Sequence, residues 1–212
     1  DLQPGDRLTL RDALYSTLLG ADNVSALTIA SFVGRDLVSR RGSGTPIAAF
    51  VSEMNNLARS LRMTKTRFTA PHGLDAGNAV STSCALDMAL LGMYSMQNPA
   101  FCYIVSQASR RIGVQSQTKG TTMYDISNNN KMMSTSGVDG IKAGSSRAAG
   151  QCLLLSATRN AIARRSPQTG TEVIYPQRMI IAVLGTGERY SLARQMLNTG
   201  WRVWENWQRS EE

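Results

Sequence analysis

The residues with the clearest capacity for chemistry are Lys142, Ala143, Gly144 and Ser145, which close the short apolar run Gly137-Val138-Asp139-Gly140-Ile141. A lysine between Ile141 and a pair of small residues can present one fixed positive charge at a sheet edge, while Gly144 lets another backbone approach closely. Such a strand binds anions. The same eight residues also fit a buried strand that ends in a turn with Lys142 merely solvated, so the rest of the chain has to decide.

Other reactive side chains are few. His72 is the only histidine, so any His-based triad depends on it, and it sits in the turn-rich stretch Thr66 to Asp75, where a lone histidine more often bonds its own loop. Cys84, Cys102 and Cys152 are odd in number and lack C-x-x-C spacing, short of the about four closely spaced soft ligands of a structural zinc site. No metal or cofactor is expected. Asp22-Asn23 interrupts two apolar helical runs, and its side chains either cap a helix or point into a cleft.

The elements that position these residues change character along the chain. Thr9-Leu10-Arg11-Asp12 matches a capping box, and Leu10, Ala13, Leu14 and Leu18 predict a helix over about residues 10–19. Ala26, Ile29, Ala30 and Val33 start another. Thr45-Pro46 opens a third, with Phe50, Met54, Leu57 and Leu61 as its stripe. Ser81-Thr82-Ser83 is read as the cap of a helix bearing Leu86, Met88, Ala89, Leu90 and Met93, with the methionines as core filler. Asn98-Pro99 begins a short one.

From Arg110 the period becomes two. Ile112 and Val114 lead to a turn at Lys119-Gly120 and a return strand from Met123 to Ile126. Gln151–Ala157 and Arg178–Leu184 read as further strands, separated by a basic, turn-rich insertion from Arg159 to Gln177. A final helix carries Tyr190, Ala193, Met196 and Leu197 and can extend through Trp201, Trp204 and Trp207, spaced as one packing face or, less often, a membrane-interface belt. The expected fold class is α/β in the α+β sense: an antiparallel sheet flanked by helices. One domain spans residues 1–212, mainly helical over 1–108, with sheet strands and the last helix over 109–212.

With 212 residues and 42% apolar content the chain can bury a core, and no apolar run approaches the roughly 20 residues of a membrane span. The net charge of +8 comes mostly from 19 arginines against 4 lysines. A basic surface suits nucleic acid, anionic lipid or polymer, but the arginines are scattered and no zinc-finger or aromatic-basic RNA signature appears. No nucleic-acid partner is expected.

The order of the motifs resembles the serine-type D-alanyl-D-alanine carboxypeptidases, the low-molecular-mass penicillin-binding proteins related to class A β-lactamases, whose signatures are S-x-x-K, S-x-N and K-T-G. Leu2-Gln3-Pro4-Gly5 is similar to the family's L-x-P-G, Pro71-His72-Gly73-Leu74-Asp75 to its H-G-L-D loop, Asp87-Met88-Ala89 to its D-M-A, and Val138 to Gly144 to its V-D-G-I-K-T-G. The resemblance implies a β-lactamase/transpeptidase-like fold and acyl transfer on peptidoglycan stem peptides, with β-lactam antibiotics as ligands. It implies an extracytoplasmic site in the periplasm or cell envelope, although the N-terminus shows no signal peptide. Any membrane association is expected outside this segment, and the oligomeric state is left open.

Carried over by position, Lys142 is the K-T-G lysine that attracts the substrate carboxylate, Asn23 is the S-x-N asparagine, and the Ser145 backbone N–H belongs to the oxyanion hole. Ala143, Gly144, Arg189 and Ala21 fall on substrate-binding positions, Arg189 beside the terminal carboxylate. Three departures stand out. Ala21 replaces the serine of S-x-N and Ala143 the threonine of K-T-G. No nucleophile motif opens a helix: Ser116-Gln117-Thr118-Lys119 fits S-x-x-K, but about 0.4 such matches arise by chance at this composition, and it lies on a predicted strand turn. The S-x-x-K segment is expected upstream of Asp1. The alternative is a catalytically impaired relative that keeps the Lys142 cleft to bind cell-wall peptide or a protein partner.

Overall fold

The computed structural model describes residues 2–74, 80–165 and 170–210, so Asp75 of the H-G-L-D-like loop lies outside the described residues. Five helices come first: α1 (Leu10–Leu18), α2 (Asn23–Arg41), α3 (Pro46–Ser60), α4 (Ala85–Ser95) and α5 (Pro99–Val105). Strands β1 (Ser109–Ser116), β2 (Gly120–Ser127), β3 (Val138–Ser146), β4 (Gly150–Arg165) and β5 (Glu172–Thr186) follow, and α6 (Arg189–Ser210) closes the described chain.

Local chemistry sets most helix starts. Thr9 caps α1 by accepting from Asp12 N at 3.0 Å, Thr45 caps α3 with Pro46 at its first position, and Asn98 caps α5 ahead of Pro99. Asp22 caps α2, accepting from Ser25 N at 2.8 Å and Val24 N at 3.4 Å, and α2 stops at Gly42 in the left-handed region at φ 80°. The antiparallel α2–α3 pair packs where Gly34 meets Pro46: a Cβ on Gly34 would lie 2.0 Å from the Pro46 carbonyl oxygen. The serine cluster does not cap α4, whose N-cap is Cys84 without a side-chain bond. Thr82 instead bridges Arg67, while Ser81 and Ser83 bond Thr69 and Thr66, because these hydroxyls are occupied in fixing the preceding loop. Nor is the whole expected α4 stripe core: Leu86 and Met93 face solvent, and burial falls on Asp87, Gly92 and the inner side of Met88 and Ala89.

The strands form two sheets. The β1–β2 hairpin turns at Lys119-Gly120 and forms a sheet of its own, with Arg7 bridging Gln115 of β1, and it packs Ile112 and Ile126 against Tyr15 and Leu19 of the α1 region; it therefore belongs spatially with the helices. The second sheet is antiparallel in the order β3-β4-β5. One of its faces buries Ile141, Leu154 and Ala182 against Met96, Val105 and the α4–α5 side. Its other face buries Ala143, Leu153, Leu155, Ile181 and Val183 against Ala193, Leu197 and Trp201 of α6. The described residues of the expected insertion over 159–177 are mainly strand: β4 and β5 continue past a bulge at Arg159/Ile162, pairing Ile162 with Tyr175 and Arg165 with Glu172. Ile162, Val173, Ile174 and Tyr175 are strong strand formers, which outweigh the polar composition around them.

Candidate active site

Among the described residues β3 is an edge strand, paired with a neighbouring strand, β4, on one side only. Its N-terminal half is locked across the sheet: Asp139 Oδ2 pairs with Arg178 Nη1 at 2.8 Å, and Arg178 also donates to the Ser156 hydroxyl. Gly137 makes the tight entry, with φ 80° and a Cβ position only 2.4 Å from the Thr158 carbonyl oxygen, a spacing that only glycine meets.

At the other end of β3 the candidate residues converge. Lys142 pairs in register with Leu154, on the face toward the helices, and its Nζ donates to the Ala143 carbonyl at 2.6 Å. Burial pushes its amine down to about 8, and the positive charge of Arg189 adds to the effect. Arg189, the first residue of α6, donates from Nη1 to the Gly144 carbonyl at 2.6 Å and the Cys152 carbonyl at 3.4 Å. Its guanidinium lies 4.8 Å from the Tyr190 ring centroid. It is thus not a solvated helix-start arginine but a staple across the end of the β3–β4 hairpin. Gly144 and Ser145 are exposed there, with Ser145 opposite Gln151.

Ala143, expected at a substrate-binding position, is enclosed. Its side chain is 2% exposed and lies in the apolar cluster with its register partner Leu153 and with Ala193 and Leu197 of α6. Contact between this residue and a substrate has to use its backbone.

Ala21 and Asn23 lie in the corner between α1 and α2. Ala21 takes the left-handed conformation at φ 59°, Asp22 provides the cap, and Asn23 is the half-buried first residue of α2. Burial pushes the Asp22 carboxyl up, but hydrogen bonds from Ser25, Val24 and Ser16 outweigh it and hold Asp22 below the usual carboxylate range.

This corner is tied to the β3 end by residues the sequence reading passed over. Asn128 Nδ2 donates to the Val105 and Gln107 carbonyls, Asn129 Nδ2 to the Gly20 carbonyl at 2.8 Å, and the buried Asn130 Nδ2 to the Gly140 carbonyl at 3.2 Å. Tyr190 Oη donates to the Asn129 carbonyl at 2.9 Å. The path from the α1–α2 corner to Gly144 therefore runs Gly20, Asn129, Tyr190, Arg189. Three consecutive asparagines just before the lysine strand were the available signal.

The remaining motif residues are supports. Asp87 accepts from Lys65 N at 2.8 Å and the Thr66 hydroxyl at 2.7 Å, holding the loop before the H-G-L segment. His72 Nδ1 accepts from Leu74 N, a bond within its own loop. Ser116 and Lys119 flank the β1–β2 turn, not a helix start. Among the described residues no three His, Cys, Asp or Glu side chains are placed to hold a metal ion.

A helical part facing an antiparallel sheet, with a lysine on the cleft-side edge strand, defines a penicillin-binding-protein type of fold. The crystal structure of the Streptomyces K15 DD-transpeptidase matches it with a TM-score of 0.77 and 26% identity, covering 95% of this chain and 71% of that one. The model of the D-alanyl-D-alanine carboxypeptidase family, peptidase S11, matches residues 1–166, and the chain belongs to this family. Curated relatives include the D-alanyl-D-alanine carboxypeptidase DacC of Escherichia coli, 28% identical over 96% of this chain and 44% of that protein. The D-alanyl-D-alanine carboxypeptidase of Streptomyces sp. strain K15 is 29% identical over 73% of this chain and 52% of that protein. The chain thus spans about half the length of these curated relatives.

Proposed function

We propose that the chain forms the sheet-side half of the active site of a serine-type D-alanyl-D-alanine carboxypeptidase that acts on peptidoglycan stem peptides in the cell envelope. The observation that carries this reading is the end of β3: an open strand edge bearing Lys142, with Arg189 fastened to Gly144 beside it. Two neighbouring cations with the Lys142 amine depressed form a site that favours an anion, and the terminal carboxylate of a peptide fits it. An extended peptide can pair along the free edge of β3. Asn23 then bonds its amide, and the Ser145 N–H stabilises the developing oxyanion, a contact whose loss costs about 100- to 1000-fold. The reaction is acyl transfer: a serine oxygen attacks the carbonyl, the C–N bond breaks, D-alanine leaves with a proton, and water hydrolyses the ester. No residue among the 212 is assigned as that serine.

A second reading, a relative that binds cell-wall peptide or a protein partner without turnover, is favoured by Ala21 and Ala143, since neither can relay a proton or offer a hydroxyl. Labelling of the full-length protein by a fluorescent penicillin separates the two. A covalent adduct on a serine supports the enzyme, and its absence at saturating drug leaves the binding protein.

A further inference from the structure

Arg189 and Tyr190 are the first two residues of α6, and side chains one position apart on a helix do not ordinarily face each other. Here they do. The Arg189 guanidinium folds back over the Tyr190 ring, 4.8 Å from its centroid, while its bonds to described residues leave from Nη1, to the Gly144 and Cys152 carbonyls. Two acceptors on one nitrogen hold that nitrogen but constrain the guanidinium plane only weakly. A ring face against the guanidinium fixes the plane. The buried Nε has no hydrogen-bond partner among the described residues, so no bond from that side shares the task.

The ring is itself held at its far end. Tyr190 Oη donates to the Asn129 carbonyl at 2.9 Å and accepts from Lys131 N at 3.4 Å. Asn129 in turn is fastened to the corner between α1 and α2: its backbone N–H donates to the Leu19 carbonyl at 3.0 Å and its Nδ2 to the Gly20 carbonyl at 2.8 Å. The ring also packs against the buried cluster that contains Met132, Ala143 and Ala193. A ring tethered in this way has little freedom, and the arginine stacked on it inherits that order. An unrestrained arginine gives up its rotamer freedom when it meets a ligand, whereas one ordered beforehand gives up less.

We propose that Tyr190 is a positioning residue of this site: it orders the Arg189 guanidinium relative to the α1–α2 corner and thereby sets the preference for a peptide that ends in a free carboxylate. The inference rests on the proposed function, in which Lys142 and Arg189 receive that carboxylate. A planar guanidinium meets a carboxylate through two parallel N–H bonds in one orientation only, so a plane that swivels forfeits the second bond. Tyr190 acts through Arg189 and touches no ligand. The role does not depend on a hydroxyl at residue 21 or 143, so it holds for a hydrolase and for a binding protein alike.

The test is calorimetric binding to the full-length protein of an N-acylated peptide ending in D-alanyl-D-alanine, its scissile carbonyl reduced to methylene so that no turnover occurs. The comparison ligand is the same peptide as its C-terminal amide. Wild type should bind the carboxylate form about tenfold or more tightly than the amide. Tyr190→Leu should reduce that preference about fivefold, through the carboxylate form only, while the amide keeps its affinity. Tyr190→Phe retains the ring and should hold the preference within about twofold, although it loses the bond to Asn129. With Arg189→Gln already in place, Tyr190→Leu should change neither affinity. Tyr190→Met fills the space with a flexible side chain and takes the place of Tyr190→Leu if that variant does not fold. A wild type without preference overturns the carboxylate reading itself, and this proposal with it. A wild type with preference, kept in full by the ringless variant or weakened equally for both peptides, overturns the role of Tyr190 alone. Loss of the preference in Tyr190→Phe overturns that role as well.

Discussion

Lys142 should cost the folded protein stability at neutral pH, and the cost should disappear in a defined pH window. Burial and Arg189 lower its amine from 10.5 to about 8. At 1.36 kcal/mol per pKa unit this corresponds to about 3 kcal/mol, reduced to about 2 kcal/mol because the side chain is only half-buried and partly screened. The sign follows from proton binding. Below pH 8 both folded and unfolded chains carry the proton, so the folded state bears the full cost. Between 8 and 10.5 the unfolded lysine still binds a proton that the folded one has released, so stability rises with pH; above 10.5 both are neutral and the gain is complete. The comparison that isolates it is wild type against Lys142→Met, by urea unfolding at pH 7 and at pH 10. Lys142→Met should be the more stable protein at pH 7 by about 2 kcal/mol, with most of that lead gone at pH 10. A lead that stays the same at both pH values would refute the reasoning. Under the proposed function the charge is held where a peptide carboxylate would neutralise it, and a bound anion should raise the amine again.

Other expectations concern the frame of the site. Gly34→Ala pushes a methyl group into the Pro46 backbone and should destabilise by about 3 kcal/mol or more in urea unfolding, because neither helix can yield without repacking. Ala21→Gly relieves a left-handed alanine and should raise stability by about 1 kcal/mol, a gain of about 2–4 °C in melting temperature. Ala143→Thr puts two more heavy atoms into the α6-side core and should cost about 1–3 kcal/mol; an unchanged melting temperature would show that the site has free space. Tyr190→Phe removes the hydroxyl bonded to the Asn129 carbonyl and should cost about 1 kcal/mol and speed amide exchange at Asn129 and Lys131, two residues a purely local loss at α6 would not reach.

Features with short sequence range were legible. The caps at Thr9, Thr45 and Asn98, the hairpin turn at Lys119-Gly120 and the lysine strand itself each rest on residues within a few positions of one another. What was not legible depends on distant contacts. Asn129 bonds a carbonyl 109 residues away, and nothing in an asparagine's neighbours specifies such a partner. The serines before α4 look like caps until Thr66 and Thr69 claim them. The stretch at 159–177 has the arginines and polar residues of a loop, while the pairing of Ile162 with Tyr175 makes its described residues mainly strand.

The two missing hydroxyls therefore have different physical standing. At residue 21 a serine would still have to occupy the left-handed conformation, so its side chain would be placed by the same strained corner that now places a methyl group. Nothing packs that corner shut: Ala21 and Asn23 are only half-buried. At residue 143 the side chain is enclosed on the α6 face, beside Leu153, Ala193 and Leu197. A hydroxyl there could serve a ligand only if α6 withdrew or the strand twisted locally. The alanine at 143 is thus accounted for by packing around Ala193 and Leu197, whereas no packing demand explains the alanine at 21. Of the two positions, residue 21 is therefore the one where a serine can be introduced without a packing penalty, and Ala21→Ser is the substitution that tests the proposed hydrolase against the binding protein.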